Sequence, residues 1–581
     1  MKQLSFLIIG AGSRGSAYAR AITTSTPARI GAVAEPNHYK RRALGEQYIW
    51  GHDQQSKLGE EFSSWEEWIE FETRRRRNTI SNGEDAQERG VDGVLICTLD
   101  ETHITVLNAI AKAGFLDLHI LCEKPLALSL DDCLSVYAAW TKPNPSQSEP
   151  EKGNKRSRQI PQSIFSIGHV LRYSPHNLTL RRLVREEKAI GDIVSIEHTE
   201  PVGHWHFAHS YVRGNWRRET EKGDGSLLTK SCHDVDFLMW LVESPVNTAG
   251  ARTETAHGAI TGDKDERKLS LRSVTSTGHL TQFTRSRKPP GAGTTTNCVS
   301  CPTEVERQCM YSAIRIYKDD QLRKGETGWP VNIVCPDIED YIPQTLSNCN
   351  GKHKDIHNGD GEGETSAAEH HLLNTLSQDY DPSTPDSEIK RRPWYGRCVY
   401  ESDNDVVDDQ VVTLAWDDIT HSHSPSTSPL PTTTTHHKKN TPGVTAILHM
   451  TAPTKSQCVR RGRIYGTKGE IAYTSSTITI HDFTNSTTRV INIPKQPPEE
   501  EKAHGGGDYG LARGFVGAVD KVVNGGWTVE DAQRGFVGCD LKEIVKSHGV
   551  VFAAEESRRG EEVVKWAGWW EEKLGGFGLE A

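Results

Sequence analysis

The 581-residue sequence predicts an α/β protein. It should have an N-terminal doubly wound parallel sheet and a C-terminal α+β domain with a mostly antiparallel open sheet and several long polar insertions. Three observations predict this. Up to residue 140, unbroken apolar runs alternate with helical patterns, as in a parallel sheet covered on both faces. Beyond about residue 160, strand-like runs follow one another across Gly-rich turns. The first apolar run also ends in a glycine-rich turn that opens the first helical pattern.

Taken in order, Leu4–Gly10 is an apolar strand and Ser13–Ile22 a helix. Arg29–Glu35 is a second strand and Tyr39–Tyr48 a second helix. Glu61–Glu70 gives a short strand and a helix start, Val91–Asp100 a buried strand, and Thr102–Gly114 a helix closed by glycine. Leu118–Pro125 and Leu130–Trp140 complete the alternation, so residues 1–140 form one domain. In the second domain, 161–581, the strand-like runs are 164–173, 191–201, 273–283, 411–418, 443–451, 460–466 and 470–483, interrupted by a helix over 227–242. Two long helices close the chain, over 511–523 and 531–557. The Trp566, Trp569 and Trp570 stripe reads as helix packing.

Hydrophobic residues make up 35% of the chain and charged residues 25%, and the mean hydropathy is −0.59. That polarity predicts insertions too poor in apolar side chains to order themselves. They fall at 72–90, 141–160, 247–268, 337–392, 418–443 and 484–507. A formal charge of −10 without a long basic block makes the chain a poor match for a nucleic-acid backbone, and no nucleic-acid partner is expected. No apolar run is long enough for a membrane helix. The N-terminal run ends in glycines rather than a cleavage site, so a cytoplasmic, reducing setting is expected.

Gly10-Ala11-Gly12-Ser13-Arg14-Gly15 is a complete G-x-G-x-x-G between a strand and a helix. Gly10 permits the tight turn, Gly12 lets a pyrophosphate approach the backbone, and Gly15 lets helix and strand pack. The free N–H groups at Ser13 and Arg14, with the helix dipole, then favour the anion. Glu35 ends the second strand, where a carboxylate would accept hydrogen bonds from the adenosine ribose and repel a 2′-phosphate. NAD is favoured, while Arg41 and Arg42 leave NADP open.

Further on stand Thr98-Leu99-Asp100-Glu101-Thr102-His103, Cys122-Glu123-Lys124-Pro125 and Lys230-Ser231-Cys232-His233-Asp234-Val235-Asp236. With the glycine turn, in this order, the sequence resembles the Gfo/Idh/MocA oxidoreductases (glucose–fructose oxidoreductase, inositol dehydrogenase and relatives). The resemblance implies a Rossmann domain, a nicotinamide cofactor, and a sugar, cyclitol or similar polyol as substrate. It implies that Thr98 and His103 line the nicotinamide side of the cleft, that Glu123 and Lys124 sit beside the cofactor, and that the Lys124–Pro125 peptide is often cis. The family's aspartate four residues before the histidine is Thr229 here. Lys230 then adds a second ammonium near Lys124, where two cations would depress each other. The proton acceptor is left open between His233, Lys124 and Lys230, with Asp236 expected to orient His233 from one turn on.

On the substrate side, Arg172, Tyr173, His204 and Trp205 are candidates, with His169, His206, Arg213 and Trp216 nearby in sequence. Cys298, Cys301 and Cys309, with Cys335 as a fourth, have a zinc-like spacing, but the reading favours inert thiols and no metal. An NAD-dependent glycoside hydrolase and a non-catalytic dinucleotide-binding regulator are the alternatives to a dehydrogenase. Self-association through the C-terminal sheet would use alternating residues such as Val444, Ala446 and Leu448, unless that face packs on its own helices.

Overall fold

The structure, a computed structural model, describes residues 1–82, 90–141, 162–220, 224–244, 268–342, 366–419 and 443–580. Six strands form the first sheet: β1 (Ser5–Ile9), β2 (Arg29–Ala34), β3 (Glu61–Phe62), β4 (Gly93–Ile96), β5 (His119–Cys122) and β6 (Phe165–Ile167). Their order is β3-β2-β1-β4-β5-β6, with every pairing parallel. The central strand β1 is buried along its whole length, which a run of SFLII satisfies and an alternating pattern would not. Helices α1 (Ser13–Ser25), α2 (His38–Tyr48), α3 (Trp65–Asn82), α4 (Asp100–Lys112) and α5 (Leu130–Thr141) flank the sheet. The strand order reverses between β1 and β4, and the crevice at their C-terminal ends is where such a sheet binds ligands.

The second sheet contains β7 (Ile193–Pro201), β8 (Leu269–His279), β9 (Asp409–Asp418), β10 (Gly443–Thr451), β11 (Arg461–Gly466), β12 (Gly469–Thr474), β13 (Ile478–Asp482), β14 (Thr487–Ile491) and β15 (Val564–Lys565). Its order is β14-β13-β12-β11-β7-β10-β9-β8-β15. All pairings are antiparallel except the central β7–β10. In β10, Val444, Ala446 and Leu448 are buried in the main core, while Thr445 and Ile447 face outward. The apolar alternation is therefore spent on the chain's own interior.

Several expectations need correction. The run 164–173 is not a strand of the second sheet. Phe165–Ile167 completes the parallel sheet as β6, and Val170–Tyr173 turns into a 3-10 helix. An apolar run announces a strand, but only its pairing partner decides the sheet. The segment from 72 on continues α3 to Asn82, because Glu72, almost fully buried, is paired with Arg75 and Arg76. Within 337–392, Ala367–Leu376 is a helix capped by Ser366, and it buries Ala368, Leu372 and Leu376 against Tyr317, Val331 and Ile338. Within 484–507, β14 is an edge strand held by ladder hydrogen bonds to β13, with Thr487–Val490 exposed. Low hydrophobicity does not prevent order where one neighbour supplies the ladder. Of the expected insertions, residues 83–89, 142–160, 247–267, 343–365 and 420–442 lie outside the described residues.

The end of the chain returns to the first sheet. The Gly507–Val523 helix packs on α1, and Phe515 lies 5.5 Å ring to ring from Phe6. The Gln533 amide accepts from Phe165 N–H at 3.0 Å and donates to its carbonyl at 2.6 Å, satisfying the free edge of β6.

Candidate active site

The glycine turn has the geometry its spacing predicts. Gly10 sits at φ +96°, and a Cβ there would lie 2.5 Å from the Cys97 carbonyl oxygen. A Cβ on Gly15 would lie 2.1 Å from the Gly10 carbonyl oxygen, so α1 packs on the turn only without one. A Cβ on Gly12 would meet nothing within 4 Å, which is the open space a pyrophosphate needs above a helix N-terminus. The residues present therefore fit a dinucleotide. The Glu35 carboxylate accepts from Ala11 N–H at 2.8 Å and Asn37 N–H at 2.9 Å, tying the turn to the end of β2. Arg41 donates to Glu61 at 2.8 Å and to the Glu35 carbonyl at 2.6 Å, and Arg42 donates to Glu46.

Arg14 is drawn inward. It donates to Glu123 at 2.8 Å and bidentately to Asp508 at 2.8 and 3.1 Å. Glu123 also accepts from Tyr18 Oη at 2.6 Å. Burial works to raise Glu123, but the Arg14 charge, the Tyr18 hydrogen bond and the Lys124 charge together hold the carboxyl below its ordinary value. Asp508 is held lower still by the same guanidinium and by His504. His103 is buried as a strut: Nδ1 lies 2.7 Å from the Pro125 carbonyl and Nε2 3.3 Å from that of Thr98. It braces the loop that carries Lys124, whose peptide to Pro125 is cis.

Lys124 Nζ donates to the Thr229 carbonyl at 2.7 Å and stands 5.5 Å from the Trp216 ring. The position that carries aspartate in the family thus acts here through its backbone. Trp216 Nε1 donates to Asp100 at 2.8 Å, linking the two sheets' domains across the cleft. His233 opens the Cys232–Val242 helix, with Nδ1 buried and without a hydrogen-bond partner among the described residues. Burial, then the Lys124 and His169 charges, push its pKa well below the ordinary value. It is a neutral imidazole that feels the Lys124 ammonium.

Four expectations fail here, those for Asp236, Arg172, Lys230 and Tyr173. Asp236 does not orient His233. Its carboxylate is taken bidentately by Arg172, at 2.7 and 2.8 Å, with His169 Nδ1 3.0 Å away, all buried. Arg172 is therefore a structural partner and no substrate ligand. The helical i, i+3 spacing placed the two residues correctly, but a guanidinium from another segment outcompeted the imidazole. Lys230 is not depressed. It donates to Cys458 Sγ at 2.9 Å and lies 3.3 Å from the fully buried Glu200. Burial opposes its charge, but Cys458 and Glu200 outweigh burial and hold the ammonium above its ordinary value. Lys230 is a fixed cation and no proton acceptor. Tyr173 is buried, with its hydroxyl donating to the Val537 carbonyl at 2.9 Å. Arg213 is likewise internal, donating to the Arg397 and Tyr311 carbonyls at 2.6 and 2.7 Å.

His204 sits against the Thr454 carbonyl, and Trp205 packs 5.2 Å from Trp329. Cys298 accepts from Arg213 at 3.3 Å, and Cys335 donates to Thr375 at 3.4 Å. Among the described residues no group of three or more His, Cys, Asp or Glu is placed to hold a metal ion. Sequence reasoning missed Glu200, Cys458 and Arg460. Arg460 pairs with Asp234 at 2.6 Å and Glu200 at 3.1 Å, behind Lys230. No local spacing signals them, because they meet only through the pairing of β7 with β11.

Residues 4–144 match the family described as the oxidoreductase family with NAD-binding Rossmann fold, and residues 177–293 match the Gfo/Idh/MocA C-terminal domain. Inositol 2-dehydrogenase 1 of Saccharopolyspora erythraea is 23% identical over 46% of this chain and 63% of its own length. The rhizopine catabolism protein MocA of Rhizobium meliloti is 26% identical over 58% of this chain and 84% of its own. The chain thus spans less than two thirds of the first of these. Among solved structures, a levoglucosan dehydrogenase in complex with NADH and levoglucosan aligns with a TM-score of 0.51 at 13% identity. That alignment covers 97% of this chain and 100% of the other, a likeness of fold. Both domain models of the Gfo/Idh/MocA oxidoreductases thus match this one chain, in the order the sequence pattern gives them.

Proposed function

We propose that the chain is an NAD-dependent dehydrogenase that oxidises a CH–OH carbon of a sugar, cyclitol or similar polyol. One observation carries the reading: Lys124 follows Glu123, which is tied to Arg14 of the glycine turn, and its ammonium is near enough to the buried His233 to lower that imidazole's pKa. The bound nicotinamide would supply the hydride acceptor. Lys124, anchored on the Thr229 carbonyl, holds the substrate hydroxyl and stabilises the negative charge that develops on its oxygen. His233 accepts the hydroxyl proton, and its low pKa keeps it unprotonated for that purpose. Trp216, fixed by Asp100, shields this oxygen from water on one side. Ser13 and Arg14 supply helix-end N–H groups to the pyrophosphate. Arg41 and Arg42 are engaged by Glu61 and Glu46, and Glu35 would face a 2′-phosphate, so NAD is preferred over NADP.

The relatives' names, inositol dehydrogenase and rhizopine catabolism, support the substrate class. A cofactor-absorbance screen of polyols, sugars and sugar nucleotides with NAD and NADP tests the reading. Reduction of NAD by a polyol is expected. Binding of NAD with no reduction by any polyol, sugar or sugar nucleotide would refute it. Among the described residues no helix is long and apolar enough to cross a membrane. The free thiols, Cys97 and Cys122 among them, suit a reducing cytoplasm. We place self-association on the outer face of the second sheet, where Val194, Ile447 and Val490 are exposed, with solution mass as the check.

A further inference from the structure

Between β8 and β9 the chain makes a long excursion, residues 280–408, and the family match ends at residue 293. The excursion packs into two small cores, one where its Phe283 and Tyr311 meet Phe207 and Tyr211, the other its own, around Tyr317, Val331 and Leu372. Those cores seat it beside the cleft and deliver Trp329. The Trp329 ring lies 5.0 Å from His206 and 5.2 Å from Trp205, and 38% of the residue remains exposed.

From Lys124 a continuous row of rings leads to it. Trp216 stands 5.5 Å from Lys124 Nζ, Tyr211 stacks 5.5 Å from Trp216, His206 lies 6.5 Å from Tyr211, and Trp329 follows. Polar groups flank the row. Trp216 is held by Asp100, and His206 Nδ1 lies 3.5 Å from Cys458 Sγ, beside the Lys230 ammonium. Burial and the Lys230 charge keep His206 neutral.

We propose that Trp329 and Trp205 form a second sugar subsite, so that the substrate is a two-ring glycoside of the disaccharide kind. Its inner ring is oxidised at Lys124 and His233, and its outer ring lies on the indoles. A pyranose presents an apolar C–H face and a rim of hydroxyls, which fits an aromatic face bordered by fixed polar groups. Tyr211 is buried and backs the row, so the accessible faces are those of Trp216 beside Lys124 and of Trp329 with Trp205 beyond it, two separate faces for two rings. The inference rests on the dehydrogenase reading and adds to it the size of the substrate.

The test is steady-state kinetics with NAD on one-ring compounds (myo-inositol, glucose, galactose) and two-ring compounds (cellobiose, maltose, lactose). A two-ring compound should show a KM about tenfold below its one-ring parent, and Trp329→Ala should erase that ratio while Trp329→Phe retains part of it. Equal KM values for the two sizes in the wild type, or a ratio that survives in both Trp329→Ala and Trp205→Ala, overturns the proposal. The wild-type comparison stands even if a variant does not fold. Turnover of one-ring compounds alone overturns this proposal and leaves the dehydrogenase reading standing. No turnover of either size, with NAD bound, overturns both.

Discussion

The cofactor turn and the substrate cleft are built in opposite ways. Six consecutive residues, Gly10 to Gly15, carry the turn, and each glycine answers a local demand: a positive φ, an open approach, a close packing contact. The cleft is assembled from Lys124, Thr229, His233, Trp216 and Cys458, which no stretch of sequence brings together. Where function lives in backbone conformation it can be read from spacing. Where it lives in the pairing of side chains, it is decided by which partner wins each charge.

Substitutions can break this contrast. Lys124→Ala should lower kcat on the true substrate by at least about a hundredfold to a thousandfold, the cost of losing a charge-assisted donor to a developing oxyanion. NAD affinity by calorimetry should be largely unchanged. Comparable turnover by variant and wild type would place the chemistry elsewhere.

The turn should separate stability from binding. Gly15→Ala forces a Cβ to within 2.1 Å of the Gly10 carbonyl oxygen and should cost about 2–4 kcal/mol in urea unfolding. Gly12→Ala meets no protein atom and should leave unfolding within about 0.5–1 kcal/mol while weakening NAD binding. Equal effects on both measurements would remove the distinction between the two glycines.

Asp236→Asn probes the opposite region. It leaves Arg172 buried without its counter-charge, so a loss of about 3–5 kcal/mol is expected. Arg172 and His169 hold the Asp236 pKa far below its ordinary value, against burial, which acts to raise it. The stabilisation is therefore full above the unfolded value of about 3.9 and is lost as the pH falls below it. Chemical denaturation across that range reads the difference. A variant that unfolds like wild type but has lost activity would restore Asp236 to the catalytic role the sequence suggested.

The smallest effect concerns pH. A lowered His233 pKa keeps the acceptor unprotonated in mild acid, so the acid limb of kcat/KM should fall below pH about 6.5, the free-histidine value. A limb at that value would mean a solvated imidazole.

Much of the fold was legible because strands buried on both faces must be apolar throughout, as Ser5–Ile9 and Gly93–Ile96 are. The misreadings share one cause. The local pattern puts Phe165–Ile167 in the wrong sheet and makes Thr487–Ile491 a polar insertion, because strand membership is a matter of hydrogen-bonded neighbours far along the chain. Ala367–Leu376 looks like an insertion too, because polar flanks surround its buried leucines.

The sequence by itself determined the parallel sheet, the glycine turn and the family pattern, because each depends on residues close in the chain or on periodicity. Only the tertiary structure decided that Arg172 would claim Asp236, that Glu200 would keep Lys230 charged, and that residues 280–408 would set Trp329 beside the cleft. Buried charges take the best-placed counter-charge in space, and spacing along the chain does not encode which one that is.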